Sequence, residues 1–186
     1  MILTLITRLL PDCYQFYSDK FPHNPNCSYR FTTRNNIEYT VYFIDVVKII
    51  DVLDSYPVIS NAMYMGIELI TELDTLPPMD ANIGLTISEI FRDYIDSYGR
   101  NIIVIYNCDE RDGKQEKRHI KFNRWFNTYL VDIDFATCHK TILTEEEPTI
   151  FISQFLTFLY ANDHSRISML KKEIEQFEKK IRAEKE

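Results

Sequence analysis

Glycine is scarce in this chain, with 4 in 186 residues. No G-x-G-x-x-G or Walker-type run occurs, which excludes nucleotide binding through a glycine-rich phosphate loop. Positive charge is also in deficit: 21 Lys and Arg stand against 28 Asp and Glu, a formal net charge of −7. A field of that sign repels phosphate backbones, so nucleic acid is not an expected partner. The four cysteines, Cys13, Cys27, Cys108 and Cys138, never form a C-x-x-C pair. They read as free thiols, and with His23, His119, His139 and His164 they outline no zinc spacing, so no metal is expected. The apolar opening, Met1 to Leu10, has no basic n-region, carries Arg8 within it and runs into Pro11 and Asp12. It fits neither a signal peptide nor a spanning helix; a cytoplasmic protein without a membrane partner is expected.

What is present is an aromatic, sheet-forming composition. There are 12 Tyr and 12 Phe beside one Trp, within 45% hydrophobic and 26% charged residues, the balance of a globular domain. Tyr29 and Phe31 alternate with polar neighbours, Asn35-Asn36 supplies a turn, and Ile37, Tyr39, Val41 and Phe43 resume the alternation: a β-hairpin. Tyr14 to Tyr17 suggests an edge strand, Asp45 to Tyr56 a short helix or irregular connection, and Met63 to Leu73 a third main strand. Ile87, Ile90, Phe91, Tyr94, Ile95 and Tyr98 recur at helical spacing, with Thr86 or Ser88 as caps and Gly99 as the stop. The continuous run Ile102 to Tyr106 reads as a strand buried on both faces. A helix from Lys114 to Leu130 follows, then strands over Phe135 to Leu143 and Thr149 to Tyr160, joined by the charged loop 144–148. Asp163 or Ser165 caps a last helix. The predicted class is α+β: a mixed, mostly antiparallel sheet of about five to six strands, two packed helices and a C-terminal heptad helix. Residues 1–162 form one domain and 163–186 the appended helix.

Chemistry concentrates after the central strand. Lys114, Lys117, Arg118, Lys121 and Arg124 share one side of a helix, beside a face of Phe122, Phe126 and Tyr129, with Trp125 at the border. Positive charge in a helix's first turn opposes the macrodipole, and an anionic ligand or an acidic protein surface would offset that cost. Asp109, Glu110, Asp112 and Glu116 could also neutralise it within the chain. Cys108 is a candidate nucleophile with Arg111, Lys114 and His119 nearby in sequence, or else a small buried residue closing the strand. Asp109 and Asp112 form a candidate carboxylate pair, although Asp112-Gly113 is first a turn signal. Cys138 and His139 are strand neighbours and point to opposite faces. Ile167, Leu170, Ile174, Phe177 and Ile181 form a heptad seam, which packs on its own domain or on a second copy; the charge on the other faces favours a homodimer.

Two resemblances follow from these residues. The combination Y-R-F-T-T-x-x-x-I-E-Y-x-V-x-F at residues 29–43 with Y-N-C-D-x-x-D-G-K-Q-x-x-R-x-x-x-F-N-R-W-F at residues 106–126 resembles an uncharacterised bacterial domain family of unknown function. That implies a bacterial cytoplasmic protein and no particular activity. The order of three strands, helix, strand, helix and two strands is similar to the core of the GCN5-related acetyltransferases. The acyl-CoA pyrophosphate loop of that family has no counterpart in Leu76 to Thr86, where Pro77, Pro78 and a lone Gly84 stand. The leading expectation is a non-catalytic binding protein with no cofactor, using the basic-aromatic helix face. The competing one is a small acyltransferase-like or thiol-dependent enzyme using Cys108.

Overall fold

Alternating apolar residues in the first half of the chain become strands because every second side chain can then enter one core. The computed structural model describes residues 4–5, 12–72, 80–108, 113–147 and 150–183. Its strands are β1 (Thr4–Leu5), β2 (Phe16–Ser18), β3 (Cys27–Thr32), β4 (Glu38–Asp45), β5 (Met63–Leu69), β6 (Ile103–Cys108), β7 (Phe135–Glu147) and β8 (Ile150–Ala161). Its helices are α1 (Ala81–Tyr98), α2 (Gln115–Tyr129) and α3 (Ile167–Ala183), and three short 3-10 turns occupy the stretch between β4 and β5. The class is α+β as expected. The described sheet has eight strands, in the order β1-β2-β3-β4-β5-β6-β8-β7, more than the five to six expected; the edge strand expected at Tyr14 to Tyr17 is β2, and β1 extends the edge beyond it.

Every strand pair is antiparallel except β5 with β6. That parallel ladder lasts for two pairs, Met63 with Val104 and Tyr64 with Ile105. Beyond it β5 stays with β4 and β6 with β8. The sheet therefore opens at the carboxyl ends of its two parallel strands, where the Tyr64 hydroxyl donates to Asn107 Oδ1.

The sheet separates two cores. On one side Tyr29, Phe31 and Phe43 meet Ile87, Phe91 and Tyr94 of α1 and Phe126 of α2; the Phe43 and Tyr94 rings stack with centroids 3.7 Å apart. On the other side Ile103, Ile105 and Phe158 meet Val46, Leu53 and Ile59 of the 3-10 turns, and Leu170, Ile174 and Phe177 of α3. The heptad seam thus packs within its own chain. Phe177 is 1% exposed and lies edge-on to Tyr56 and Phe158 at 5.9 and 6.3 Å.

Helix starts differ from the expected caps. α1 begins at Asp80, whose carboxylate accepts from the Asn82 N–H at 3.0 Å. Thr86 and Ser88 lie inside the helix, where their hydroxyls bond back to the Asn82 and Gly84 carbonyls, a local alternative open to short hydroxyl side chains. At α3 His164 Nδ1 accepts from the Arg166 N–H, while its Nε2 lies 3.0 Å from the Asn101 carbonyl oxygen. Asp163 pairs instead with Arg100. The expected 144–148 loop is also shorter, because Glu145 and Glu147 still pair with Phe151 and Ile150. No helix among the described residues is long and apolar enough to cross a membrane.

Candidate functional site

α2 presents three different sides. Its anchoring side is aromatic: Phe126 stands edge-on to Phe91 at 5.4 Å and stacks on Tyr106 at 5.8 Å, and Phe122 meets Tyr106 at 5.6 Å. Trp125 lies against Gly84 of α1, where a Cβ would come within 2.2–2.4 Å of the indole. Only glycine allows this approach, so the α1–α2 contact fixes the rotation of α2 about its axis.

That rotation turns Lys117, Lys121 and Arg124 outward, and Lys114 is exposed at the cap position. Arg118 and Trp125 are half-buried. Lys121 Nζ sits 4.7 Å from the Trp125 ring centroid, a cation–π contact, and loss of water there holds its ammonium below the ordinary lysine value. Among the described residues Lys117, Lys121 and Arg124 form no ion pair. Ile120 borders them on one side, 59% exposed. Spacings of four and three residues line the cations along about 10 Å of helix. Of the predicted basic stripe, Lys117, Lys121 and Arg124 share the exposed side of α2, while Arg118 is turned partly inward. Asp109, Glu110, Arg111 and Asp112 lie outside the described residues, and so does the carboxylate pair.

Cys108 is 2% exposed and lies opposite Phe155 in the ladder. Burial pushes its thiol up to about 11, with the Arg118 charge pulling weakly the other way. An activated thiolate needs the reverse shift. Among the described residues no group of three His, Cys, Asp or Glu could hold a metal ion.

The third side of α2 was not found by sequence reasoning. Gln115, His119 and Asn123, spaced by four, form a polar line beneath the helix. The His119 ring stacks on Phe155 at 4.8 Å and meets His139 edge-on at 4.8 Å. Asn123 Nδ2 lies 3.0 Å from His119 Nε2, and His139 Nδ1 lies 3.0 Å from Thr157 Oγ1. Gln115 Oε1, His119 Nδ1 and Asn123 Oδ1 are shut from solvent with no hydrogen-bond partner among the described residues. The only sequence hint was two of four histidines in neighbouring elements; the β7–β8 register was needed to bring them together.

Both imidazoles are held below the ordinary histidine value, His119 by desolvation and His139 by desolvation and then by the His119 charge. A folded pKa below the unfolded one means that the unfolded chain binds protons first as pH falls. This contribution is intact above about pH 6.5 and is lost as pH drops below it. Denaturant titrations on either side of that value should show lower stability on the acid side, and His139→Phe should lose less on acidification than the parent. An equal loss in both would remove the pair as the source.

Residues 79–179 match the model of a family of unknown function (DUF6169). The matched span runs from just before α1 into α3 and contains the whole α2 face, whereas the 29–43 hairpin lies outside it. No curated protein and no solved structure matches the chain.

Proposed function

Because the chain belongs to a family of unknown function (DUF6169), its role must be read from geometry, and we propose a non-catalytic binding protein whose basic α2 face receives an acidic protein partner. One observation carries this reading: Lys117, Lys121 and Arg124 form an exposed row bordered by exposed Ile120, with no ion pair among the described residues, in a chain of net charge −7. Charge segregated against the global sign steers a partner of opposite charge. An exposed apolar side chain at the edge of the row gives that partner something to bury. The surface is a ridge of helix and not a cavity, which favours a protein surface over an anionic small molecule.

A labelled oligoglutamate peptide containing apolar residues tests it. Binding is expected at low ionic strength, weakening with added salt, and lost in the triple variant Lys117→Glu, Lys121→Glu, Arg124→Glu. Because those positions are exposed, each reversal should change folding stability by no more than about 0.5 kcal/mol, apart from the Lys121 contact with the Trp125 ring, which is worth about 0.5–1 kcal/mol. Peptide binding unchanged by the three reversals would overturn the proposal.

The acyltransferase-like reading has one observation in its favour, the opening between β5 and β6 at the carboxyl ends of parallel strands, a common ligand position in sheet proteins. Against it, the N-terminus of α1 is already taken by the Asp80 carboxylate, which accepts from the Asn82 N–H and the Tyr14 hydroxyl. A fixed negative charge there repels a phosphate. Acyl-CoA retained through gentle purification and seen by native mass spectrometry would move the assignment to this second reading.

A further inference from the structure

A cleft of about 420 Å³ opens where the C-terminus of α1 meets the start of β6, and among the described residues none of its wall belongs to α2. That volume is ordinary for a small-molecule site. His23 enters from the turn between β2 and β3, Asn61 ends the last 3-10 turn, and Ser97, Tyr98 and Asn101 come from α1 and its connection to β6. The fold holds these groups in place. The Asn24 N–H donates to the Phe21 carbonyl at 3.2 Å and the Tyr94 hydroxyl to the Pro25 carbonyl at 3.0 Å, so His23 stands on a tied turn with a left-handed φ of 64°. Asn61 Nδ2 donates to the Pro57 carbonyl at 2.8 Å, and Asn101 Oδ1 accepts from the Ser165 N–H at 2.8 Å.

Those last two bonds decide what the amides can still offer. With its nitrogen committed, Asn61 presents Oδ1, an acceptor; with its oxygen committed, Asn101 presents Nδ2, a donor. Neither remaining atom makes a hydrogen bond among the described residues. Ser97 Oγ is already occupied, donating to the Asp93 carbonyl at 2.7 Å and accepting from Lys20 Nζ at 2.8 Å, and Lys20 in turn pairs with the Asp93 carboxylate at 2.7 Å. Among the described residues no Asp, Glu, Lys or Arg lines the cleft, in a chain that is 26% charged. An ion placed there would find no counter-charge in that wall, and removing it from water would cost free energy. Pro25, Ile102 and the Tyr98 ring supply the apolar part of the wall.

We infer that this cleft is a binding site for a neutral polyhydroxyl ligand, a sugar ring, with hydroxyls on Asn61 Oδ1 and Asn101 Nδ2 and a C–H face against Tyr98. A hydroxyl both donates and accepts, so neighbouring hydroxyls of one ring match a fixed acceptor and a fixed donor presented by separate residues. Recognition of a planar base edge instead uses both ends of one amide at once, and here each amide has one end taken by the protein. Amides locked before binding lose little freedom when the ligand arrives. The site does not involve α2 and is independent of the reading of that helix as a docking face.

Proton–nitrogen NMR of the full chain tests the inference, with glucose, galactose, mannose and N-acetylglucosamine as neutral probes, glucuronate and glucosamine as charged counterparts of glucose, and adenosine as the planar alternative. At least one neutral sugar should shift the side-chain amides of Asn61 and Asn101 saturably, with a Kd in the millimolar range suited to so small a ligand. Glucuronate and glucosamine should bind about tenfold more weakly than the best neutral sugar, since each brings an unpaired charge. Asn61→Ala should weaken binding by about three- to tenfold, the worth of one neutral hydrogen bond. His23→Gly removes the imidazole at a backbone angle that glycine adopts without strain, so it keeps the fold and reads the lip of the cleft separately. Spectra that match the parent outside the cleft show that neither variant has lost its structure. Lys117→Glu, Lys121→Glu, Arg124→Glu should leave sugar binding unchanged, whatever it does to the oligoglutamate peptide. No saturable shift with any neutral sugar up to about 100 mM, well past the millimolar range, overturns the inference. So do shifts confined to residues outside the cleft, an affinity unaltered by both Asn61→Ala and His23→Gly, or adenosine binding in the cleft where no sugar does.

Discussion

Phe177→Ala is expected to lower folding stability by about 3–5 kcal/mol, the usual cost of emptying a fully buried aromatic site. The side chain is 1% exposed and sits between Tyr56 of a 3-10 turn and Phe158 of β8. Three layers close on it: α3, the turns between β4 and β5, and the sheet. The 3-10 turns lack the hydrogen-bond ladder of a longer helix, so the cavity falls where the backbone is least able to hold its own shape. Denaturant unfolding at low and high protein concentration should give the same difference from the parent. If α3 worked through a partner's helix, the difference would instead grow with concentration while the dilute variant matched the dilute parent.

This prediction turns on a point that the sequence left open. Ile167, Leu170, Ile174, Phe177 and Ile181 spell the same seam whether α3 docks on its own chain or on another. The deciding partner is the stretch of 3-10 turns, and its mixed periodicity gives no face to read. The hairpin over Cys27–Thr32 and Glu38–Asp45 was legible because burial alternates along it and Asn36 takes the left-handed φ of 56° that its turn requires. The central strand was legible because Val104, Ile105 and Tyr106 are covered on both faces. The cap of α1 was not legible: Thr86 and Ser88 compete with Asp80 on residue type, and only the helix register decides. Similarly, the outer side of α2 could be drawn from spacing alone. Its inner polar line could not, because His119 meets His139 through a ladder register set by residues far away in sequence.

Glu173→Ala is expected to be the most damaging change of a charged residue among the contacts described. Glu173 is 5% exposed; its carboxylate accepts from the Val58 N–H at 3.1 and 2.9 Å and from the Ile59 N–H at 2.9 Å. A side chain of α3 thus caps the last 3-10 turn from 115 residues away, satisfying two backbone donors that the turn cannot satisfy itself. Alanine leaves both donors buried and unpaired, at about 1–3 kcal/mol each. Glu173→Leu separates this account from one based on burying a charge. If desolvation of the carboxylate dominated, an apolar side chain of similar size would be neutral or stabilising. Here the donors belong to the backbone and remain whatever replaces the acid, so leucine should cost nearly as much as alanine. Glu173→Gln keeps one acceptor oxygen and should lose roughly half as much. Denaturant unfolding gives the order of the three variants, and amide exchange at Val58 and Ile59 should accelerate in alanine and leucine more than in glutamine. A leucine variant as stable as the parent would place the cost in the buried charge and remove the cap as the reason for Glu173.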